Sequence, residues 1–192
     1  LEAYAPKELG VALILYIPSQ DGYFANALEI FKMQIASLKA STPQAYDLLV
    51  FDNGSCRAVV NALQELYQAG EITWLILSRH NIGKAGAWNW IFASLPNQYI
   101  AYADADVLFR PGWLEASQEI LRAFPQAGIV SAQPNFYDVM DGKGQAQHAL
   151  HNNPDYVLAP YEPRAEIIEE YCLGIGATPE LAERFHQPPL PG

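Results

Sequence analysis

Two aspartates one residue apart interrupt an apolar run in Tyr99-Ile100-Ala101-Tyr102-Ala103-Asp104-Ala105-Asp106-Val107-Leu108-Phe109. Read as a buried strand, the run alternates its side chains between faces. Asp104 and Asp106 then point the same way, roughly 6–7 Å apart along the backbone. Two carboxylates on one side of a strand end form a hard-oxygen site. Such a site suits Mg²⁺ or Mn²⁺ and leaves coordination positions for the phosphates of a substrate. Buried carboxylates are costly unless a cation, hydrogen-bond donors or water compensates them. A D-x-D triplet also occurs in ordinary solvated turns, so its weight comes from the elements that place it.

Those elements alternate strand and helix over about the first 135 residues. Val11–Ile17 is a continuous apolar run, the pattern of a strand covered on both faces, and Pro18-Ser19-Gln20-Asp21-Gly22 breaks it. A helix follows over Ala25–Leu38, with Leu28, Phe31, Ile35 and Leu38 at helical spacing. Tyr46–Phe51 is a second strand ending in the turn cluster Asp52-Asn53-Gly54-Ser55, and Val59–Tyr67 a helix stopped by Gly70. Ile72–Leu77 is a third strand before Ser78-Arg79-His80-Asn81, and Gly83–Leu95 the next helix. Tyr99–Ala103 is the fourth strand, Pro111–Phe124 a helix with proline near its first turn, and Gly128–Ala132 a fifth strand.

This alternation implies a mostly parallel sheet with helices on both sides. Ligands of such sheets bind at the carboxyl ends of the strands. Ser19/Asp21, Asp52/Asn53, Arg79/His80/Asn81 and Asp104/Asp106 all fall at such ends, so one crevice can collect them. From about Phe136 the periodicity fades into polar, proline-punctuated segments, read as long loops beside the crevice. The chain is expected to be one domain, with a ligand-binding part over about residues 10–135 and an accessory part over 136–192.

A net charge of −10 and the lack of a basic stripe exclude nucleic acid as a partner. No apolar run is long enough for a membrane span. The cysteines, Cys56 and Cys172, fit no metal or C-x-x-C pattern, which places the chain in the reducing cytoplasm. It begins at Leu1 rather than Met, so a segment before it is expected to be missing. Ile17-Pro18-Ser19-Gln20-Asp21-Gly22 is not G-x-G-x-x-G, and no G-x-x-x-x-G-K-[ST] occurs. Neither a dinucleotide fold nor a P-loop is therefore indicated.

Four stretches, in order, resemble the GT-A glycosyltransferases, most closely glycosyltransferase family 2. Leu13–Ser19 is similar to the family's opening strand with its Pro-Ser/Thr end, and Val50–Ser55 to its D-[DN]-x-S. Asn81-Ile82-Gly83-Lys84-Ala85-Gly86-Ala87-Trp88-Asn89 is similar to its N-x-G-x-x-x-A-x-N, and Tyr102–Asp106 to its metal-binding D-x-D. The resemblance implies an α/β, Rossmann-like, three-layer GT-A sandwich. It also implies transfer of a sugar from a nucleoside-diphosphate sugar, UDP-sugar favoured, with inversion and with Mg²⁺ or Mn²⁺. Pro18 and Ser19 would line base and ribose, and Asp52 would accept a hydrogen bond from the base. Arg79, Asn81 and Lys84 would lie near base, ribose and diphosphate. Asp104 would face ribose and metal, and Asp106 would be the more direct metal ligand. The acceptor, a glycan, lipid or protein, is left open, and membrane association would come only through it or through missing segments.

The chain departs from this pattern in two places. Gln20-Asp21 stands where an aromatic-Asn pair is usual, and the E-D dipeptide that supplies an acceptor base is absent. Glu170 and Glu169 are the nearest local candidates for that base, followed by Asp155 and Asp138. Without a base, a non-catalytic nucleotide-sugar binder is the alternative. A sugar-1-phosphate nucleotidyltransferase would need Arg and Lys after the first strand, and residues 18–24 contain neither. For several residues a plain structural role competes with a ligand role. Asp52 would form an Asx-turn, Asn81 and Gly83 would shape the turn into a helix, and Trp88, Trp90 and Trp113 would pack on helix faces. Trp113 would otherwise stack an acceptor sugar. His80, His148 and His151 read as loop histidines.

Overall fold

The computed structural model describes residues 3–131 and, beyond them, Glu166, Glu169, Cys172, Leu173, Gly176 and Thr178. The chain divides into two compact units, Leu1–Val130 and Ser131–Gly192. In the first unit β1 (Leu9–Leu15), α1 (Ala27–Ser41), β2 (Tyr46–Asp52), α2 (Arg57–Gln68), β3 (Trp74–Leu77), α3 (Gly83–Ser94), β4 (Tyr99–Asp104) and α4 (Trp113–Ala123) follow in order. A short 3₁₀ turn, Gly22–Phe24, precedes α1. The strands form one parallel sheet ordered β3-β2-β1-β4.

The apolar run at β1 forms the central strand because both its faces are covered. Leu9, Val11, Leu13 and Leu15 pack on one side with Phe31, Ile35 and Leu38 of α1, Val59 and Leu63 of α2, and Leu114 of α4. Ala12 packs on the other side with Leu49 and Phe51 of β2 and Ala87 and Ile91 of α3. The result is three layers, with α1, α2 and α4 on one face and α3 on the other. All four strands run the same way, so Leu15, Asp52, Leu77 and Asp104 end at one rim of the sheet.

Several element ends differ from the sequence reading, each for a local reason. β1 stops at Leu15, although Ile17 is buried. Ile17 gives its N–H to the Ser55 hydroxyl and its carbonyl to the Cys56 N–H, so a turn replaces the ladder there. β3 starts at Trp74 rather than Ile72, because the Thr73 hydroxyl takes the Leu48 N–H before the regular ladder begins. α4 begins at Trp113, two residues after Pro111. Gly112 holds φ +85°, a left-handed turn that precedes the helix. Residues 128–131, expected as part of a fifth strand, are not strand, and Ile129 is exposed. A stretch this short becomes a strand only where a neighbour supplies ladder partners.

No helix among the described residues is long and apolar enough to cross a membrane.

Candidate functional site

The register of the sheet separates the acids at its rim. Asp52 lies opposite Leu15 and Asp104 opposite Ile14. Residues in register share a face. Asp52 therefore turns toward the layer of α1 and α2, and Asp104 toward the layer of α3.

On the α3 side, Lys84 sits in the first turn of its helix, where the helix dipole disfavours a cation. Its ammonium reaches Asp104, 2.6 Å from Oδ1 and 2.8 Å from Oδ2. Both side chains are more than half exposed, so the pair is worth at most about 1 kcal/mol and yields readily to a stronger ligand. The strand ends at Asp104, and Ala105-Asp106 forms a turn. Asp106 therefore stands in a turn rather than on the strand, and both acids are exposed instead of buried. Asp104 and Asp106, two positions apart, are hard oxygen donors of the kind a divalent cation takes, and among the described residues no third His, Cys, Asp or Glu joins them in a cluster. Such a pair leaves positions for substrate oxygens.

On the other side, Asp52 is 1% exposed and closes an Asx-turn, accepting from the Ser55 N–H at 3.2 and 3.3 Å. Burial pushes its carboxyl above the ordinary value of 3.8, against the lowering effect of the Ser55 hydroxyl and the Ser55 and Gly54 N–H groups. The folded protein thus holds this proton more tightly than the unfolded chain does. The contribution of Asp52 to stability is complete below the unfolded value and is lost as pH rises through the folded one. Asp52→Asn, which still offers Oδ1 to Ser55, is expected to be at least as stable as wild type at pH 7. The gap should close as pH falls below about 4. Urea unfolding at both pH values checks this, and a marked loss of stability at pH 7 would show that the hydrogen bonds outweigh burial.

Asn53, 3% exposed, ties the second rim turn to the third. Its Nδ2 donates to Asn81 Oδ1 at 3.1 Å and to the Gly83 carbonyl at 3.4 Å, and its Oδ1 accepts from the Ile82 N–H at 2.9 Å. Asn81 Oδ1 also accepts from the Gly83 N–H at 2.8 Å, which shapes the start of α3. Gly54, at φ +93°, lets the two turns meet, since a Cβ there would lie 3.0 Å from the Asn81 nitrogen. Pro18, Arg79, His80 and Asn81 are exposed at this rim, and Ser19 is half-buried.

The structure thus brings together Asp104 and Lys84 directly, and Asn53 with Asn81. Glu169 lies on a helix of the second unit and is exposed. Glu170, Asp138, Asp155, His148 and His151 lie outside the described residues. Trp113 packs against Phe109 and donates its indole N–H to Thr42 Oγ1 at 3.0 Å, so its polar handle is already engaged. Trp88 packs with Phe92 and Tyr102, while Trp90 is mostly exposed. The braces made by Asn53 and Ser55 went unread in the sequence as anything beyond turn chemistry. Their partners lie 28 to 38 positions away, where no local pattern records them.

A parallel sheet with covered faces and acids at the carboxyl ends of β2 and β4 is consistent with the GT-A glycosyltransferase architecture. The sequence profile of glycosyl transferase family 2 matches residues 25–174, and the chain belongs to that family. It is similar to an uncharacterized glycosyltransferase of Nostoc sp., 28% identical over 120 residues, covering 61% of this chain and 35% of the relative. An uncharacterized glycosyltransferase of Haemophilus influenzae is 24% identical over 90 residues, 47% of this chain and 28% of its own length. The chain therefore spans about a third of the curated relatives it matches. Among solved structures, S. aureus TarS superposes with a TM-score of 0.49 at 12% identity, over 69% of this chain and 24% of that one.

Proposed function

We propose that this chain is the donor-binding part of an inverting, metal-dependent glycosyltransferase that takes a nucleoside-diphosphate sugar, UDP-sugar favoured. The acceptor would be a glycan, lipid or protein. The observation that carries the reading is the rim itself: Asp104 with Lys84, and the Asp52–Asn53 turn tied to the Asn81–Gly83 turn that opens α3, in a family 2 chain.

Asp106 and Asp104 would hold Mg²⁺ or Mn²⁺. The ion would supply positive charge to the diphosphate as the sugar–phosphate bond breaks. Lys84 would leave Asp104 for a phosphate oxygen near the start of α3, where anions are favoured. Pro18, Ser19, Arg79 and Asn81 would line base and ribose. Asp52 would hold its turn and accept from the base. Glu170 or Glu169 would take the proton of the acceptor hydroxyl as that oxygen bonds to the anomeric carbon and UDP departs.

Calorimetry tests the charge arrangement. UDP affinity is expected to fall at least about tenfold when EDTA replaces Mn²⁺. Lys84→Ala should weaken UDP yet tighten Mn²⁺ in the absence of nucleotide, because the ammonium no longer competes for Asp104. Equal UDP binding with and without EDTA would overturn the role of the metal and leave Lys84 as the cation that meets the diphosphate.

A further inference from the structure

α1 turns a continuous apolar stripe, Phe31, Ile35 and Leu38, toward the core, and Gln34 interrupts it. Gln34 is fully buried at 0% exposure. Leucine or methionine would fill the same space without a polar group to satisfy, and an unsatisfied buried amide atom costs about 1–3 kcal/mol. Its Oε1 has no hydrogen-bond partner among the described residues, so core stability gives no reason for an amide here. The other half of that amide does. Nε2 donates to the backbone carbonyl of Asp104 at 2.5 Å, across 70 positions of sequence.

One turn along the same helix, Ser37 donates to the Gln34 carbonyl at 2.8 Å and accepts from the Phe109 N–H at 3.1 Å. Residues three apart on a helix are neighbours. The segment from Asp104 to Phe109 is therefore pinned at its first and last residues to adjacent side chains of one helical turn. Asp106 lies between the two pins. The described residues provide no third acidic or imidazole ligand to fix a cation, so the geometry of the two aspartates depends on how this short loop is held.

We propose that Gln34 is a positioning residue for the Asp104–Asp106 loop: through the Asp104 carbonyl it sets the direction in which the two carboxylates present themselves to a divalent cation. This rests on the reading of Asp104 and Asp106 as the cation's ligands. Gln34 touches neither cation nor substrate, and its influence passes through the backbone.

The test uses the full chain and Mn²⁺ alone, titrated by calorimetry, with amide hydrogen exchange of residues 105–109 as a second readout. Gln34→Met keeps length and burial while removing the donor. It is expected to weaken Mn²⁺ about 10-fold or more, the scale of outer-shell losses at metal sites, and to speed exchange in the loop by a similar factor. Asp106→Ala is the control for the underlying reading. If Asp106→Ala abolishes Mn²⁺ binding while Gln34→Met leaves affinity and loop exchange within twofold of wild type, the positioning role is refuted. If wild type binds no Mn²⁺, the cation reading fails, and loop exchange alone decides whether Gln34 holds the segment. Should Gln34→Met not fold, Gln34→Leu, which also fills the buried position without a donor, takes its place under the same criteria.

Discussion

Asp106→Ala is expected to lose at least about 100-fold in donor-sugar turnover, the scale seen when one preorganised electrostatic partner of a departing group is removed. Asp106 stands in a turn and is exposed, and no hydrogen bond or ion pair described for the fold depends on its carboxylate. The melting temperature should therefore stay within a degree or two of wild type, as for a surface substitution. This pairing of a large chemical effect with a negligible stability effect separates a ligand of the cation from a residue that shapes its surroundings. The measurement is slow hydrolysis of UDP-sugars with Mn²⁺. Turnover within threefold of wild type would remove Asp106 from the site. Nucleotide-sugar binding without turnover in either protein would favour a non-catalytic binder.

Asn53→Ala should do the opposite. Asn53 is buried and spends both amide atoms on the turn from Asn81 to Gly83. Alanine leaves the Ile82 N–H without its acceptor, at a cost of about 2–3 kcal/mol. That corresponds to a fall of roughly 5–10 °C in melting temperature for a chain of this size. UDP affinity should drop as well, since the same turn carries Arg79 and Asn81 and leads into Lys84. Asn53→Asp supplies a sharper comparison. It keeps the acceptor for Ile82 but sets a carboxylate against two oxygens, Asn81 Oδ1 and the Gly83 carbonyl, and is expected to be at least as destabilising. A stable Asn53→Asp would mean that the amide orientation or the brace itself is not as described.

The layered architecture was legible in the sequence because its signals are local. Val11–Leu15 and Leu48–Phe51 are unbroken apolar runs, as strands covered on both faces require, and the turn residues after them mark the rim. The resemblance of D-x-D and of the Asn81–Asn89 stretch put Asp104 and Lys84 in one crevice, and the ion pair between them came only with the structure. What stayed hidden is long-range. Strand alternation predicted a common direction for Asp104 and Asp106, but a turn intervenes one residue after the strand ends. The fifth strand was read from the five residues Gly128–Ala132, and such a short stretch carries no information about its ladder partners. Gln34 left one trace, a polar residue at a core position between Phe31 and Ile35, and that trace could have been read. Its partner, 70 positions away, could not. A match over residues 25–174 extends the family resemblance well past the point where sequence periodicity fades.

The opposed orientation of Asp52 and Asp104 about the central strand has a consequence for how such a protein can diversify. Changes confined to the Asp52–Ser55 turn leave the Lys84–Asp104 pair untouched, but Asn53 reaches across to the turn that opens α3. The two sides of the rim are thus linked through one buried amide, and a substitution that shifts Asn81 or Gly83 is felt at Lys84, the next residue of the chain.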